Sequence, residues 1–110
     1  MVTYIPERGD VVWLDFEPQK GKEIQKTRPA VVLSPYKYNL KSGLALFAPI
    51  TSQVKGYPFE VKIGFEQING AVLCDQVRSM DWKARKANKF LILDKTLINE
   101  ILSKLKLLLS

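Results

Sequence analysis

The sequence predicts a mainly β protein, a small and strongly bent antiparallel sheet or β-barrel followed by one C-terminal α-helix. Three observations carry that prediction. About five or six short runs rich in β-branched and aromatic residues fall between Asp10 and Leu93. Gly, Pro and Asn punctuate the spaces between them. Only the tail beyond Asp94 changes to a helical period, so helix-first architectures and parallel α/β sheets do not fit.

The first run, Asp10 to Phe16, follows a Gly-Asp turn signal and reads as a strand. Glu17 to Thr27 is polar, is broken by Pro18 and Gly21, and reads as a loop. Pro29 to Leu33 is almost continuously apolar, the pattern of a strand covered on both faces. Proline has no N–H to give a ladder, which places Pro29 at the first position of that strand and pushes Arg28 into an extended conformation. A polar connection through Asn39, Lys41 and Gly43 leads to a second apolar strand, Leu44 to Ile50, and then to Thr51 and Ser52. Phe59 to Ile63 alternates apolar and polar residues and should be half-exposed. Gly70 to Met80 reads as one further strand, and Lys89 to Leu93 as another.

Asp94 is a natural helix N-cap, because its carboxylate can accept from the N–H groups of the first turn. Behind it Leu97, Ile98, Ile101, Leu102, Leu105, Leu108 and Leu109 make one apolar stripe, with Glu100 and Lys104 paired on the polar side. Complete burial of such a stripe would contribute about 10–20 kcal/mol gross, so the helix is expected to dock on the sheet.

The 110 residues suit a single domain spanning 1–110, large enough to bury roughly 60–70% of its unfolded surface. Cys74 is alone, so no disulfide forms within the chain, and it reads as a small buried hydrophobe. The first ten residues lack the apolar core of a secretory signal, and no apolar run is long enough to span a bilayer. The expected address is the cytoplasm. The net charge is +6, and Arg78, Lys83, Arg85, Lys86 and Lys89 oppose Asp81 alone in one stretch. Such a balance suits a polyanionic or acidic partner, although a solvated lysine-rich surface explains it as well.

The absence of histidine excludes a Ser-His-Asp triad, a Cys-His pair and any imidazole metal ligand. No Cys-x-x-Cys and no phosphate-cradling glycine loop occurs, and the carboxylates are too scattered to suggest a two-metal site. The informative stretch runs from Lys20 to Pro29. If strands 29–34 and 44–50 pair as antiparallel neighbours, Arg28 and Thr51 share one rim of the sheet, with Glu23 on a loop able to reach it. A cation, a hydroxyl and a carboxylate suffice to cut RNA without a metal, because the ribose 2′-OH is a built-in nucleophile. Arg28 would stabilise the charge on phosphorus, Thr51 would donate to a non-bridging oxygen and Glu23 would accept the proton. A solvated Glu23–Arg28 surface pair is the plain alternative.

The ordered set Gly9-Asp-Val-Val-Trp-Leu-Asp-Phe16, Lys20-Gly21 with Glu23, Arg28-Pro-Ala-Val-Val-Leu-Ser-Pro35, and Tyr38-Asn39 with Gly43 resembles the MazF/PemK family of toxin endoribonucleases. Pro49-Ile-Thr51, Lys55-Gly-Tyr-Pro-Phe-Glu-Val61 and Leu73-Cys-Asp-Gln-Val-Arg-Ser79 continue the correspondence almost to the end of the chain. The resemblance implies an SH3-like β-barrel, a homodimer, and sequence-specific cleavage of single-stranded RNA. Products would carry a 2′,3′-cyclic phosphate and a 5′-hydroxyl, with no cofactor or metal. The family's catalytic arginine, threonine and loop glutamate fall on Arg28, Thr51 and Glu23. An acidic antitoxin of the MazE type is implied as partner, with DNA reached only through that antitoxin and no membrane involved.

The residues expected to bind RNA are Lys55, Ser52 and Gln76, followed by Lys20 and Thr27. Trp13 and Trp82 could stack on bases, but a tryptophan on an alternating strand is more often core, and both are read as core residues. Thr27 stands where some relatives carry histidine, and Ser52 where a second threonine often follows, which bears on the RNA word recognised. Two competing functions share the fold: a non-catalytic gyrase poison of the CcdB type and a simple RNA-binding barrel.

Overall fold

A computed structural model describes residues 4–15 and 27–110. The strands are β1 (Asp10–Asp15), β2 (Thr27–Val32), β3 (Leu44–Thr51), β4 (Glu60–Gly64), β5 (Asn69–Leu73), β6 (Arg78–Asp81) and β7 (Asn88–Ile92). Two helices, α1 (Tyr36–Ser42) and α2 (Lys95–Leu107), complete the described residues. All strand pairs are antiparallel, in the order β4-β5-β3-β2-β1-β7, with β6 paired to β3.

Strand β3 is the spine. Its first half, Leu44 to Phe47, pairs with β6, whereas Ile50 and Thr51 pair with β5. One strand thus hands over between two partners along its length, which curls the sheet into a half-barrel and divides its core. One cluster joins Val11, Val31, Ile50, Val61 and Val72 to Ile98 and Ile101 of α2. The other joins Val12, Leu14, Val32 and Phe47 to Met80 and Trp82. Val11 and Val12 enter different clusters, so β1 is covered on both faces; β2, with Val31 and Val32, is likewise. That accounts for the unbroken apolar runs in the sequence.

Helix α2 starts as its cap predicts, with Leu97 N donating to the Asp94 carboxylate at 2.9 Å. Its stripe is shorter than expected. Ile98 and Ile101 are buried, and Leu97, Leu102 and Leu105 half-buried, but the helix ends at Leu107 and Leu108 and Leu109 are exposed. Lys104 Nζ donates to the Pro58 carbonyl at 2.6 Å and so ties α2 to the β3–β4 loop.

Three further expectations are corrected. The polar connection through Asn39 contains α1, entered from Pro35 and closed by Gly43 at φ +75. Its one buried residue is polar: Asn39 Nδ2 donates to the carbonyls of Pro6 (2.8 Å) and Ser34 (3.1 Å), Ser34 Oγ donates to Asn39 Oδ1, and Trp82 Nε1 donates to the Asn39 carbonyl. The stretch Gly70 to Met80 is two strands, β5 and β6, which pair with different parts of β3. Pro29 is the third residue of β2, not the first; it is tolerated because only β1 pairs there, β3 joining from Ala30. Cys74 is buried and free. Among the described residues no helix is long and apolar enough to cross a membrane.

Candidate active site

The β2–β3 ladder runs through Val32↔Phe47, Val31↔Ala48 and Ala30↔Pro49. Neither Pro29 nor Pro49 has an N–H with which to extend it. Continuing the same register outward sets Arg28 opposite Thr51, at the mouth of a cleft of about 660 Å³. Thr27, Arg28, Thr51, Ser52 and Gln76 all line that cleft, with Trp13, Gln53, Ile68 and Asn69 among its other walls. Five of the eight residues proposed from the sequence therefore converge on one place. The reason is topological: antiparallel neighbours bring the start of one strand beside the end of the next.

Lys55 lines an adjoining cleft of about 360 Å³ that shares Thr51, Gln53, Leu73 and Gln76 with the first and adds Tyr57, Glu60 and Asp75. Together the two form one groove of mixed polar and apolar lining, with Thr51 and Gln76 at the junction. Glu23 and Lys20 lie outside the described residues. None of the cations Arg78, Lys83, Arg85, Lys86 and Lys89 lines either cleft, so the most basic stretch of the sequence does not form the groove.

The hydrogen bonding suits an anionic ligand. Thr51 Oγ1 accepts from Gln53 N at 3.1 Å, a bond that does not use the hydroxyl proton and so leaves it able to be donated to a ligand. The loop after Thr51 is pinned near its middle. The Glu60 carboxylate accepts from Gly56 N (3.1 Å) and Lys55 N (3.2 Å), and Tyr57 OH donates to Asp75 Oδ2 at 3.0 Å. That bond to Asp75 and the carboxylate's charge hold the Tyr57 hydroxyl proton beyond the ordinary tyrosine range. Gly56 occupies the left-handed region at φ +75, which suits glycine at this turn. No group of three or more His, Cys, Asp or Glu side chains able to hold a metal ion occurs among the described residues.

Sequence reasoning set Trp13 aside as core. The ring is half-buried, lines the cleft and stacks on Phe90 with centroids 4.9 Å apart and planes 20° apart. Its neighbours on β1 are buried on both faces, so the apolar pattern carried no signal that this side chain reaches the cleft. Trp82, in contrast, is a core residue as expected.

A curled antiparallel half-barrel with a C-terminal helix, and with Arg28 and Thr51 lining one cleft, defines a small β-barrel class of protein. The sequence settles the class further. Residues 7–109 match the family of PemK-like, MazF-like toxins of type II toxin–antitoxin systems, and the chain belongs to that family. It is 52% identical over 86 residues to the endoribonuclease toxin MazF of Escherichia coli K12, covering 78% of each chain. The crystal structure of MazF from Deinococcus radiodurans superposes with a TM-score of 0.86 at 44% identity, over 97% of this chain and 98% of that one. A MazE–MazF crystal structure from the same organism gives 0.88 at 43% identity, over 96% and 97%.

Proposed function

We propose that this toxin is an endoribonuclease that cuts single-stranded RNA in the groove between β2 and β3, at specific sequences and without a metal, so halting translation. The observation that carries the reading is the meeting of Arg28 and Thr51 in one cleft, in a chain whose relatives are endoribonucleases.

The ribose 2′-oxygen attacks the adjacent phosphorus, and the bond to the 5′-oxygen of the next nucleotide breaks. Charge builds on the non-bridging oxygens as phosphorus becomes pentacoordinate. The Arg28 fork matches two such oxygens, and the Thr51 hydroxyl donates to one of them. Glu23 takes the 2′-OH proton. The role assigned to Arg28 is electrostatic first, because its planar fork matches the phosphate oxygens; proton transfer by Arg28 is the second reading. The departing 5′-oxygen takes a proton from solvent water, so the products carry a 2′,3′-cyclic phosphate and a 5′-hydroxyl. Because the nucleophile belongs to the substrate, no metal-activated water is needed.

Ser52, Gln76, Lys55, Thr27 and Lys20 hold the RNA on either side of the cut. The active species is a homodimer working in the cytoplasm. An acidic antitoxin segment neutralises it by occupying the same groove; the MazE–MazF complex of the Deinococcus relative supports that partner. The +6 charge favours either polyanion.

Incubation of the purified protein with a long single-stranded RNA in EDTA tests the reading. Discrete cuts bearing cyclic phosphate are expected. Intact RNA, or cutting that requires an added divalent cation, overturns it; intact RNA together with stalled gyrase selects the non-catalytic poison instead.

A further inference from the structure

We infer that Trp13 is a stacking platform for a nucleobase beside the scissile phosphate. The inference rests on the RNA-cutting reading above and assigns it a further substrate-binding residue.

Trp13 is the single residue of β1 that is not fully buried, and it belongs to neither buried cluster of the core. It pairs with Pro29 of β2, the residue next to Arg28, and Trp13, Pro29 and Arg28 all line the same cleft. Phe90, which packs against the core, is stacked on it at 4.9 Å and 20°. That backing holds the indole plane in place before any ligand arrives, so little rotamer freedom is lost on binding. Besides Arg28, the other described residues of the lining offer uncharged polar side chains and aliphatic groups, and among the described residues that line it Trp13 is the one aromatic. Single-stranded RNA is recognised by splaying bases onto such rings, and each stacked base strengthens binding roughly 5- to 100-fold. With the phosphate held between Arg28 and Thr51, an adjacent base is the group within reach of Trp13.

The probe is an oligonucleotide spanning a cut mapped in the EDTA digestion, carrying a 2′-deoxy sugar at the scissile position so that it binds without being cleaved. Trp13 and Trp82 are the two tryptophans, and Trp82 is buried with its Nε1 bonded to the Asn39 carbonyl, so a change in emission on binding reports Trp13. Binding is expected to quench the emission. One abasic substitution within two nucleotides of the cut should remove the quench and weaken binding roughly 5- to 100-fold. Trp13→Ala should weaken the intact probe by a similar factor, raise KM more than it lowers kcat, and be insensitive to that abasic change. Trp13→Phe, which keeps a ring, should bind within about threefold of wild type.

Wild-type protein that binds and cuts RNA while its emission ignores every abasic position overturns the platform alone, and that measurement stands even if Trp13→Ala fails to fold. Trp13→Ala binding as tightly as wild type does the same. Wild-type protein that neither binds nor cuts RNA overturns the platform together with the reading beneath it.

Discussion

Gly70 packs against the backbone of Thr51 so closely that a methyl group in its place would overlap the Thr51 carbonyl oxygen and lie 3.0 Å from the carbonyl carbon. The α-carbon of Ser52 would stand 3.3 Å away. The close approach belongs to the β3–β5 pairing, where Thr51 sits opposite Ala71. A glycine in β5 thus fixes the depth at which the hydroxyl-bearing end of β3 lies in the cleft.

Gly70→Ala should therefore displace Thr51 and Ser52. The expected loss is about 1–3 kcal/mol of stability, from forcing extra volume into a packed contact, and at least about a tenfold fall in RNA cleavage, from misplacing a group at the reacting phosphate. Gly64→Ala is the control, since a methyl there meets only Asn69 Oδ1 at 3.8 Å, an ordinary contact. Urea denaturation and single-turnover cleavage of the two variants check the contrast. Equal behaviour would show that the Gly70–Thr51 approach does not set the site.

Arg28 and Thr51 are to be separated from the fold by their exposure. Arg28 is exposed and Thr51 half-exposed, so truncating either should change stability by only about 0.5 kcal/mol. Arg28→Ala and Thr51→Ala should abolish cutting. Arg28→Lys is the sharper variant, because it keeps the charge and loses the planar fork; a fall of roughly 100-fold or more is expected if the guanidinium grips two phosphate oxygens. Cleavage rates measured alongside thermal melting test this, and normal cutting by Arg28→Ala would remove the assignment.

The rim that brings these two side chains together was legible in the sequence because it needs only one assumption, that two consecutive apolar strands pair antiparallel. The ends of β2 and β3 then meet whatever the register. Helix α2 was legible from Asp94 and the spacing of Leu97, Ile98 and Ile101, though the stripe ran past the true end, since Leu108 and Leu109 look the same in sequence whether docked or exposed. Helix α1 was hidden because its pattern is inverted: Asn39 is buried while Tyr36, Tyr38 and Leu40 are exposed. The split between β5 and β6 was hidden because buried Cys74 continues the apolar run into the Cys74–Asp75 turn. Trp13 was set aside as core because, in a strand so thoroughly buried, one side chain reaching a cleft leaves no trace in the alternation.

The loop from Ser52 to Phe59 offers a test of how the second cleft is held. Glu60 anchors it through two backbone N–H groups, those of Lys55 and Gly56. Glu60→Gln keeps an acceptor oxygen but removes the charge that strengthens both bonds, a loss of about 1 kcal/mol for a partly exposed group. The loop should open more often, so amide exchange at Lys55 and Gly56 should speed by about fivefold. KM for RNA should rise while kcat stays within about twofold, because the Arg28–Thr51 contact is untouched. Unchanged exchange would mean that the Tyr57–Asp75 bond and the Lys104 contact to Pro58 hold the loop alone.

Cys74 supplies a pH-dependent prediction whose sign follows from its burial. Loss of hydration pushes the thiol from 9.0 up to about 11, against a smaller opposing pull from Lys104, with Asp75 and Glu100 adding to the rise. The folded protein therefore retains the thiol proton between about pH 9 and 11, where the unfolded chain has released it. Proton release favours the unfolded state across that window, so this group's contribution to stability is intact below about pH 9 and declines as pH rises toward 11. Cys74→Ala removes the titration at the cost of a small cavity, and Cys74→Val keeps the volume. Both should flatten the fall in denaturation midpoint between pH 8.5 and 10.5 relative to wild type. A thiol reagent at pH 8 should label native protein at least about 100-fold more slowly than protein in urea, because the buried thiol is both protonated and covered. Rapid labelling of the native form would mean that the β5 end of the sheet, and with it the wall that carries Leu73 and Gln76, opens readily.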